Sequence, residues 1–366
     1  MTHVIFAGGG TGGHLYPGIA IARALVRARP GIEPFFIGAR RGIERTVLPT
    51  TEFPHELLDL HPLYRSAIWK NGRTIAGAVG AWRRIAALAK RDRPPLIVGT
   101  GGYAAGLALA YGVAHRIAIV QQAGDSVPGL TARAFSRWSR EMYLNFPEAA
   151  RVLHAHHPGS LLDTGAPIEP PPSPRPDRAE ARERWSFPST GGRVLLIYGG
   201  SQGSLAINRV VAEWIGAGLP EDLHIIWGTG HATYDEFKRC EGPRVRVRDY
   251  LAPISEAYAA ADFAVARAGA MTTSELFAWG LPAVLVPLPT AAADHQTTNA
   301  VTLEEAGAAI HVPQTQLTVE RLDATVRRLI DQPAELRRLA VGAAARARPN
   351  AAQNIAAHIL ALLDSL

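Results

Sequence analysis

Val4-Ile5-Phe6-Ala7-Gly8-Gly9-Gly10-Thr11-Gly12-Gly13-His14 is the stretch that decides the fold. A short apolar run leads into a glycine turn. The turn leads into a segment that places Ile19, Ala22, Leu25 and Val26 on one helical face. Strand, glycine turn and helix in that order open a parallel α/β domain. The same opening recurs at Val194-Leu195-Leu196-Ile197-Tyr198, followed by Gly199-Gly200-Ser201-Gln202-Gly203 and a helix through Val210, Val211 and Trp214. Further strand candidates are Phe35–Ile37 and Leu96–Val98 after the first opening. His224–Trp227, Val245–Val247, Phe263–Val265 and Ala283–Val286 follow the second. The expected fold class is α/β, with two Rossmann-like domains facing across a cleft lined by both glycine loops.

Between the two openings, residues 166–177 read APIEPPPSPRPD, with six prolines in twelve positions. Proline fixes φ and removes a backbone donor, so this stretch is a linker rather than a central element. The expected division is residues 1–165, the linker at 166–177, a second domain over 178–350, and a final helix over 351–366 that returns to the first domain. The chain has 366 residues, of which 47% are hydrophobic and 19% charged. Those values suit two globular domains and exclude a disordered chain. Cys240 is the single cysteine, which excludes an intrachain disulfide and a multi-cysteine metal site. The start of the chain runs straight into strand and glycines rather than a signal-peptide core. The blandest stretch, Tyr103–Val120, is interrupted by His115-Arg116, short of the roughly 20 apolar residues a spanning helix needs. A soluble, cytoplasmic protein is expected.

Charge is uneven. Residues 1–165 hold 19 Lys and Arg against 10 Asp and Glu, whereas residues 166–366 hold 19 against 22. A basic front half points to an anionic membrane surface or a phosphorylated substrate. Nucleic acid is not the expected partner.

Gly8-x-Gly10-x-x-Gly13 fits the dinucleotide fingerprint, yet the second strand ends in Arg40-Arg41 instead of the ribose-binding acid. Those arginines keep an NADP-dependent oxidoreductase as the rival reading. His14 closes the glycine turn at the positive end of a helix, where the neutral imidazole needed by a general base is favoured. The loop at Gly199–Gly203 and a third cluster, Gly99-Thr100-Gly101-Gly102, can present N–H groups to a phosphorylated ligand. After the strand at Phe263, Arg267-Ala268-Gly269-Ala270 forms a turn into a helix. Thr272 and Thr273 offer N–H and hydroxyl donors there, and Glu275 one turn on is placed to accept ribose hydroxyls. Asp294, His295, Gln296 and Asn299 form a mixture of donors and acceptors that suits a sugar.

The segments GGGTGGHLYPGIAIARAL (8–25), GGSQGSLAIN (199–208), RAGAMTTSE (267–275) and DHQTTNA (294–300) resemble, in this order, the motifs of the MurG family of glycosyltransferase family 28. The likeness spans nearly the whole chain. It implies the GT-B fold and inverting transfer of GlcNAc from UDP-GlcNAc to the MurNAc 4-hydroxyl of a lipid-linked acceptor, lipid I, giving lipid II of peptidoglycan. It implies neither a cofactor nor a metal, and the sequence shows no DxD pair on a strand end. It places His14 as the base. Thr11, Gly12, Gly13, Ser201, Gln202, Leu251, Ala270, Met271, Thr272, Glu275, His295, Gln296 and Asn299 fall to the donor, with the backbone of Leu251 reading uracil. Gly101, Gly102, Tyr103 and Asp125 fall to the acceptor.

Two positions depart from the family pattern. Where the family has His-Glu-Gln-Asn, this chain has Gln122-Ala123-Gly124-Asp125. Where it has Gly-Asn-Pro-Val-Arg, this chain has Gly165-Ala166-Pro167-Ile168-Glu169. Glu169 would repel a diphosphate and is expected to turn away, with Arg175 as the candidate substitute. Residues 61–91 interleave Ile68, Trp69, Ile75, Val79 and Trp82 with Lys70, Arg73, Arg83 and Arg84. That pattern suits the headgroup level of an anionic inner membrane, bound peripherally on its cytoplasmic side.

Overall fold

The computed structural model describes residues 1–61, 72–200 and 202–366. The chain divides into two compact units, Met1–Glu169 together with Asn350–Leu366, and Pro170–Pro349. The first unit runs β1 (Thr2–Ala7), α1 (Gly12–Ala28), β2 (Ile32–Ala39), α2 (Glu44–Val47), β3 (His55–Leu58), α3 (Gly72–Asp92), β4 (Leu96–Gly99), α4 (Tyr103–Ala114), β5 (Ala118–Ala123), α5 (Leu130–Phe135), β6 (Ser139–Leu144) and β7 (Leu161–Asp163). The second runs α6 (Arg178–Arg184), β8 (Arg193–Tyr198), α7 (Leu205–Ala217), β9 (Leu223–Gly228), α8 (Tyr234–Phe237), β10 (Val245–Arg248), α9 (Ile254–Ala260), β11 (Phe263–Ala266), α10 (Ala270–Ala278), β12 (Ala283–Leu285), α11 (His295–Glu305), β13 (Ala309–His311), α12 (Val319–Asp331) and α13 (Pro333–Arg346). α14 (Ala351–Ser365) closes the chain and belongs to the first unit.

Each unit is built on one parallel sheet. The orders are β3-β2-β1-β4-β5-β6-β7 and β10-β9-β8-β11-β12-β13. Both reverse direction beside their opening strand, between β1 and β4 in one and between β8 and β11 in the other. A strand covered by helices on both faces reads as a continuous apolar run, and β1 shows this. Val4 and Phe6 join a core with α1, while Ile5 and Ala7 face the opposite core with Ile85 of α3 and Ala104 of α4. β8 supplies Leu195 and Ile197 to a core built around Trp214 and Trp227.

Several strands escape the sequence reading. β5 emerges from the tail of the stretch read as bland, after α4 ends at Ala114. β3, β6, β7 and β13 are short or carry charged residues, so no apolar run announces them.

The division between units falls at Glu169 and Pro170, so the prolines from 170 onward group with the second unit. Arg175 ties this segment down, donating to the carbonyls of Ala278 at 2.6 Å and Trp279 at 3.1 Å. α14 packs along α1, where Ala352, Ile355, Ala356 and Ile359 complete the core under Leu15, Ile19 and Leu25. An Arg29–Asp364 ion pair at 2.7 Å marks the far end of that contact.

Candidate active site

The first unit gathers its sequence-predicted residues at the carboxyl ends of β1 and β4, the switch point where α/β sheets bind ligands. Gly9 and Gly10 take φ values of 151° and 90°, letting the chain fold back against the β4 turn. The Gly9 N–H donates to the Gly101 carbonyl at 3.3 Å. Thr11 caps α1 with no side-chain bond of its own, and His14 sits on the first turn behind it. Its carbonyl accepts the Thr100 hydroxyl at 2.7 Å, which locks α1 to the end of β4.

The imidazole lies on the turn Gly101-Gly102. A Cβ on Gly101 would stand 2.7 Å from His14 Nδ1, and one on Gly102 would stand 3.0 Å from its Cδ2. Both glycines also have positive φ, 97° and 75°. Tyr103 opens α4 beside them, with Cε1 2.9 Å from where a Gly10 Cβ would be. The fold therefore brings His14, Gly101, Gly102 and Tyr103 together, with Gly12 and Gly13 opening the same helix. Asp125 follows β5, the next strand in the sheet, and is half-buried. The departure at Gln122 has a structural trace. Its side chain is buried, and neither amide atom has a hydrogen-bond partner among the described residues.

The second unit repeats the arrangement at β8 and β11. α10 begins at Ala270 behind Gly269, whose lack of a side chain leaves the helix without a side-chain cap. No acidic residue lies in its first turn. The N–H groups of 270–272 precede any intrahelical acceptor, and the helix dipole makes this end attractive to anions.

The Thr273 hydroxyl does not serve as the sequence suggested. Thr273 Oγ1 donates back to the carbonyls of Gly269 and Ala270 at 3.2 and 3.1 Å.

Glu275 is half-buried and accepts a hydrogen bond from the Tyr258 hydroxyl at 2.9 Å. Tyr258 Oη lies 3.0 Å from Tyr198 Oη. Burial pushes both phenols well above their ordinary range, so they act as neutral donors. Sequence reasoning missed both tyrosines. Tyr198 was visible only as the last apolar residue of a strand.

Arg267 is buried at the same turn. Its guanidinium donates to Ser204 Oγ and Gln314 Oε1, both at 2.7 Å, and to the carbonyls of Val286 and Pro287. Burial lowers its pKa to about 10, which leaves it charged at neutral pH. Ser204 caps α7, so this cation links the β8 turn to the β11 turn.

At the start of α11 two side chains have their polarity set by backbone bonds. His295 Nδ1 donates to the Ala292 carbonyl at 2.8 Å, so a neutral ring leaves Nε2 as an acceptor. Gln296 Oε1 accepts from Leu288 N–H at 3.0 Å, which turns its NH₂ outward as a donor. Asn299 is different. It is fully buried and donates to the Ala268 carbonyl at 3.2 Å, so it braces the β11 turn from below. Its expected place among the donor-contacting residues is corrected accordingly. Leu251 is buried against Gly228 at the end of β9. Gln202 is exposed, and Ser201 lies outside the described residues.

Three other expectations change. Arg175 is spent on carbonyls at the C-terminal end of α10, the opposite end from Ala270, and cannot substitute for a phosphate-binding arginine there. Arg40 donates through Nε to the Leu57 carbonyl at 3.0 Å, across to β3. Trp82 packs edge-on against Tyr111 with ring centroids 5.0 Å apart, so it belongs to the α3–α4 contact. Residues 62–71, including Ile68, Trp69 and Lys70, lie outside the described residues. Glu169 is exposed. Among the described residues, no helix is long and apolar enough to cross a membrane, and no group of three or more His, Cys, Asp or Glu could hold a metal.

Two Rossmann-like units with glycine turns at both switch points are the architecture of the GT-B class. Residues 4–144 match the glycosyltransferase family 28 N-terminal domain, and residues 194–355 match its C-terminal domain. A Salinibacter ruber protein named UDP-N-acetylglucosamine–N-acetylmuramyl-(pentapeptide) pyrophosphoryl-undecaprenol N-acetylglucosamine transferase is 39% identical, over 99% of this chain and 97% of its own. A Porphyromonas gingivalis protein of the same name is 33% identical, over 98% and 95%. The crystal structure of Acinetobacter baumannii MurG is 26% identical and superposes with a TM-score of 0.79, over 98% of this chain and 99% of that one. The chain belongs to glycosyltransferase family 28, in the group formed by these MurG transferases. The oxidoreductase reading raised by the glycine fingerprint is thereby set aside.

Proposed function

We propose that this enzyme transfers GlcNAc from UDP-GlcNAc to the MurNAc 4-hydroxyl of undecaprenyl-pyrophosphoryl-MurNAc-pentapeptide, with inversion at the anomeric carbon. The observation that carries the reading is the first turn of α10. It sets uncapped N–H groups and Glu275 on one helix at a switch point, in a chain whose relatives are named for a UDP-linked sugar. Glu275 accepts the ribose hydroxyls, and the backbone of Leu251 reads the uracil. The N–H groups of Ala270, Met271 and Thr272 face the diphosphate, with Ser201 and Gln202 in the neighbouring loop. His295 accepts from a hydroxyl of the donor sugar through Nε2, and Gln296 donates to another.

In the first unit, His14 removes the proton from the acceptor hydroxyl as its oxygen attacks the anomeric carbon. The bond from that carbon to the β-phosphate oxygen breaks, and UDP leaves with the electron pair. Charge grows on the diphosphate, where the α10 N–H groups and the buried Arg267 stabilise it. Thr11, Gly12 and Gly13 approach the donor. Gly101, Gly102, Tyr103 and Asp125 shape the acceptor side.

The protein works at the cytoplasmic face of the cell membrane, held peripherally by its basic first unit. Exposed Val79 and Arg83 on α3 and the charge excess of residues 1–165 support that placement. The direct test is incubation with UDP-GlcNAc and a short-chain lipid I analogue, with mass detection of the product. Addition of one HexNAc is the expected result. UDP binding without any HexNAc addition would leave a sugar-nucleotide binder, not a transferase.

A further inference from the structure

Glu275 does not stand alone on α10. Taken as a carboxylate it only accepts, so the Tyr258 hydroxyl must donate to it at 2.9 Å. The Tyr258 proton is then used, and Tyr198 must donate to Tyr258 across 3.0 Å. The three groups form one directed chain, Tyr198 to Tyr258 to Glu275. It joins the end of β8, helix α9 and α10. Both rings are buried, 6% and 3% exposed, and Tyr258 also packs on Trp279 with centroids 5.8 Å apart.

A glutamate side chain has several rotamers, and fixing one costs side-chain entropy. Here one carboxylate oxygen is already held by a buried donor, so that cost is met before any ligand arrives. Two hydroxyls on neighbouring carbons present two donors to a carboxylate held in this way.

We propose that Tyr258 and Tyr198 are positioning residues that hold Glu275 in the geometry that recognises a ribose diol, and so set the preference of this enzyme for ribonucleotide over dideoxyribonucleotide donors. The inference rests on the assignment of Glu275 to the ribose in the proposed function. It adds two residues and a selectivity to that assignment.

The test is calorimetric binding of UDP and 2′,3′-dideoxy-UDP to the full-length wild-type protein and to Tyr258→Phe, Tyr198→Phe, the double variant and Glu275→Ala. Melting temperatures are recorded for each. The wild type is expected to bind UDP roughly tenfold or more tighter than the dideoxy compound. Tyr258→Phe keeps the ring against Trp279 and loses only the hydroxyl. It should weaken UDP about fivefold to tenfold, leave the dideoxy compound nearly unchanged, and bring the ratio close to that of Glu275→Ala. Tyr198→Phe should give a smaller loss in the same direction. The double variant should fall short of the sum, because both residues act through one carboxylate. In turnover assays Tyr258→Phe should raise KM for the donor and leave kcat within about twofold, since the diol does not change during reaction.

A ratio that stays at the wild-type value in Tyr258→Phe but collapses in Glu275→Ala overturns the positioning role alone. A ratio that stays at the wild-type value in Glu275→Ala overturns the ribose assignment itself. Equal loss of both ligands in Tyr258→Phe would mean general damage to the unit and would also overturn the inference.

Discussion

Removal of the His14 imidazole isolates the proton-transfer step from everything else the first unit does. The ring sits on two glycines at the surface of a turn, and the core contacts of α1 belong to Leu15, Ile19 and Leu25. His14→Ala should therefore lower kcat by roughly 10²-fold or more, with little change in melting temperature. Steady-state assays with a lipid I analogue check this, and near wild-type turnover would remove the base assignment. His14 stood out in the sequence because it closes a glycine-rich turn, Gly8-Gly9-Gly10-Thr11-Gly12-Gly13, at the start of a helix. The tyrosines behind Glu275 did not. Their bonds join residues 60 and 17 positions apart, through a strand end and a helix face that only the folded sheet brings together. Asn299 was not legible as a buried brace. His295 and Gln296 at the start of α11 are half-buried, whereas Asn299 one helical turn further on is fully buried.

Among the elements, the turn after β4 is the one whose backbone the site depends on most. Gly101 has φ of 97°, and any Cβ there would stand 2.7 Å from His14 Nδ1. Gly101→Ala should displace the imidazole and reduce kcat on the order of 10- to 100-fold while the protein stays folded. Circular dichroism with kinetics on the same preparation checks both halves of that statement. β1 and β8 were readable because a parallel strand covered on both faces is an apolar run that stops at glycine. β6, with sequence SREMYL, carries Arg140 and Glu141 and gives no such signal. α14 was readable as a helix from its apolar stripe. Deleting residues 351–366 would expose the α1 surface now covered by Ala352, Ile355, Ala356 and Ile359. The expected result is loss of several kcal/mol from the first unit alone. Scanning calorimetry should then show a low-temperature transition separate from that of the second unit. A truncated protein melting like the parent would contradict this packing.

For the molecule as a whole, charge and division of labour go together. The first 165 residues carry the excess of arginine, and the later residues carry the excess of acid. On the proposed reading the lipid-linked acceptor lies in an anionic membrane surface, and the basic unit is the one suited to approach it. Flotation with vesicles containing anionic lipid should carry the protein upward at low salt and release it at high salt. Failure to float at low salt would contradict peripheral binding. Two domains were legible because the same strand–glycine–helix opening appears twice, either side of a proline-rich stretch. The attachment of residues 170–177 to the second unit was not legible, because it depends on Arg175 reaching helix carbonyls about 100 positions away.

On the proposed reading the turn into α10 grips the uridine diphosphate of the donor. A crystal structure of the protein soaked with UDP tests it most directly. The ribose hydroxyls should lie within hydrogen-bonding distance of Glu275, with the diphosphate against the N–H groups of residues 270–272. UDP bound elsewhere, or bound with its ribose turned away from Glu275, would contradict the account.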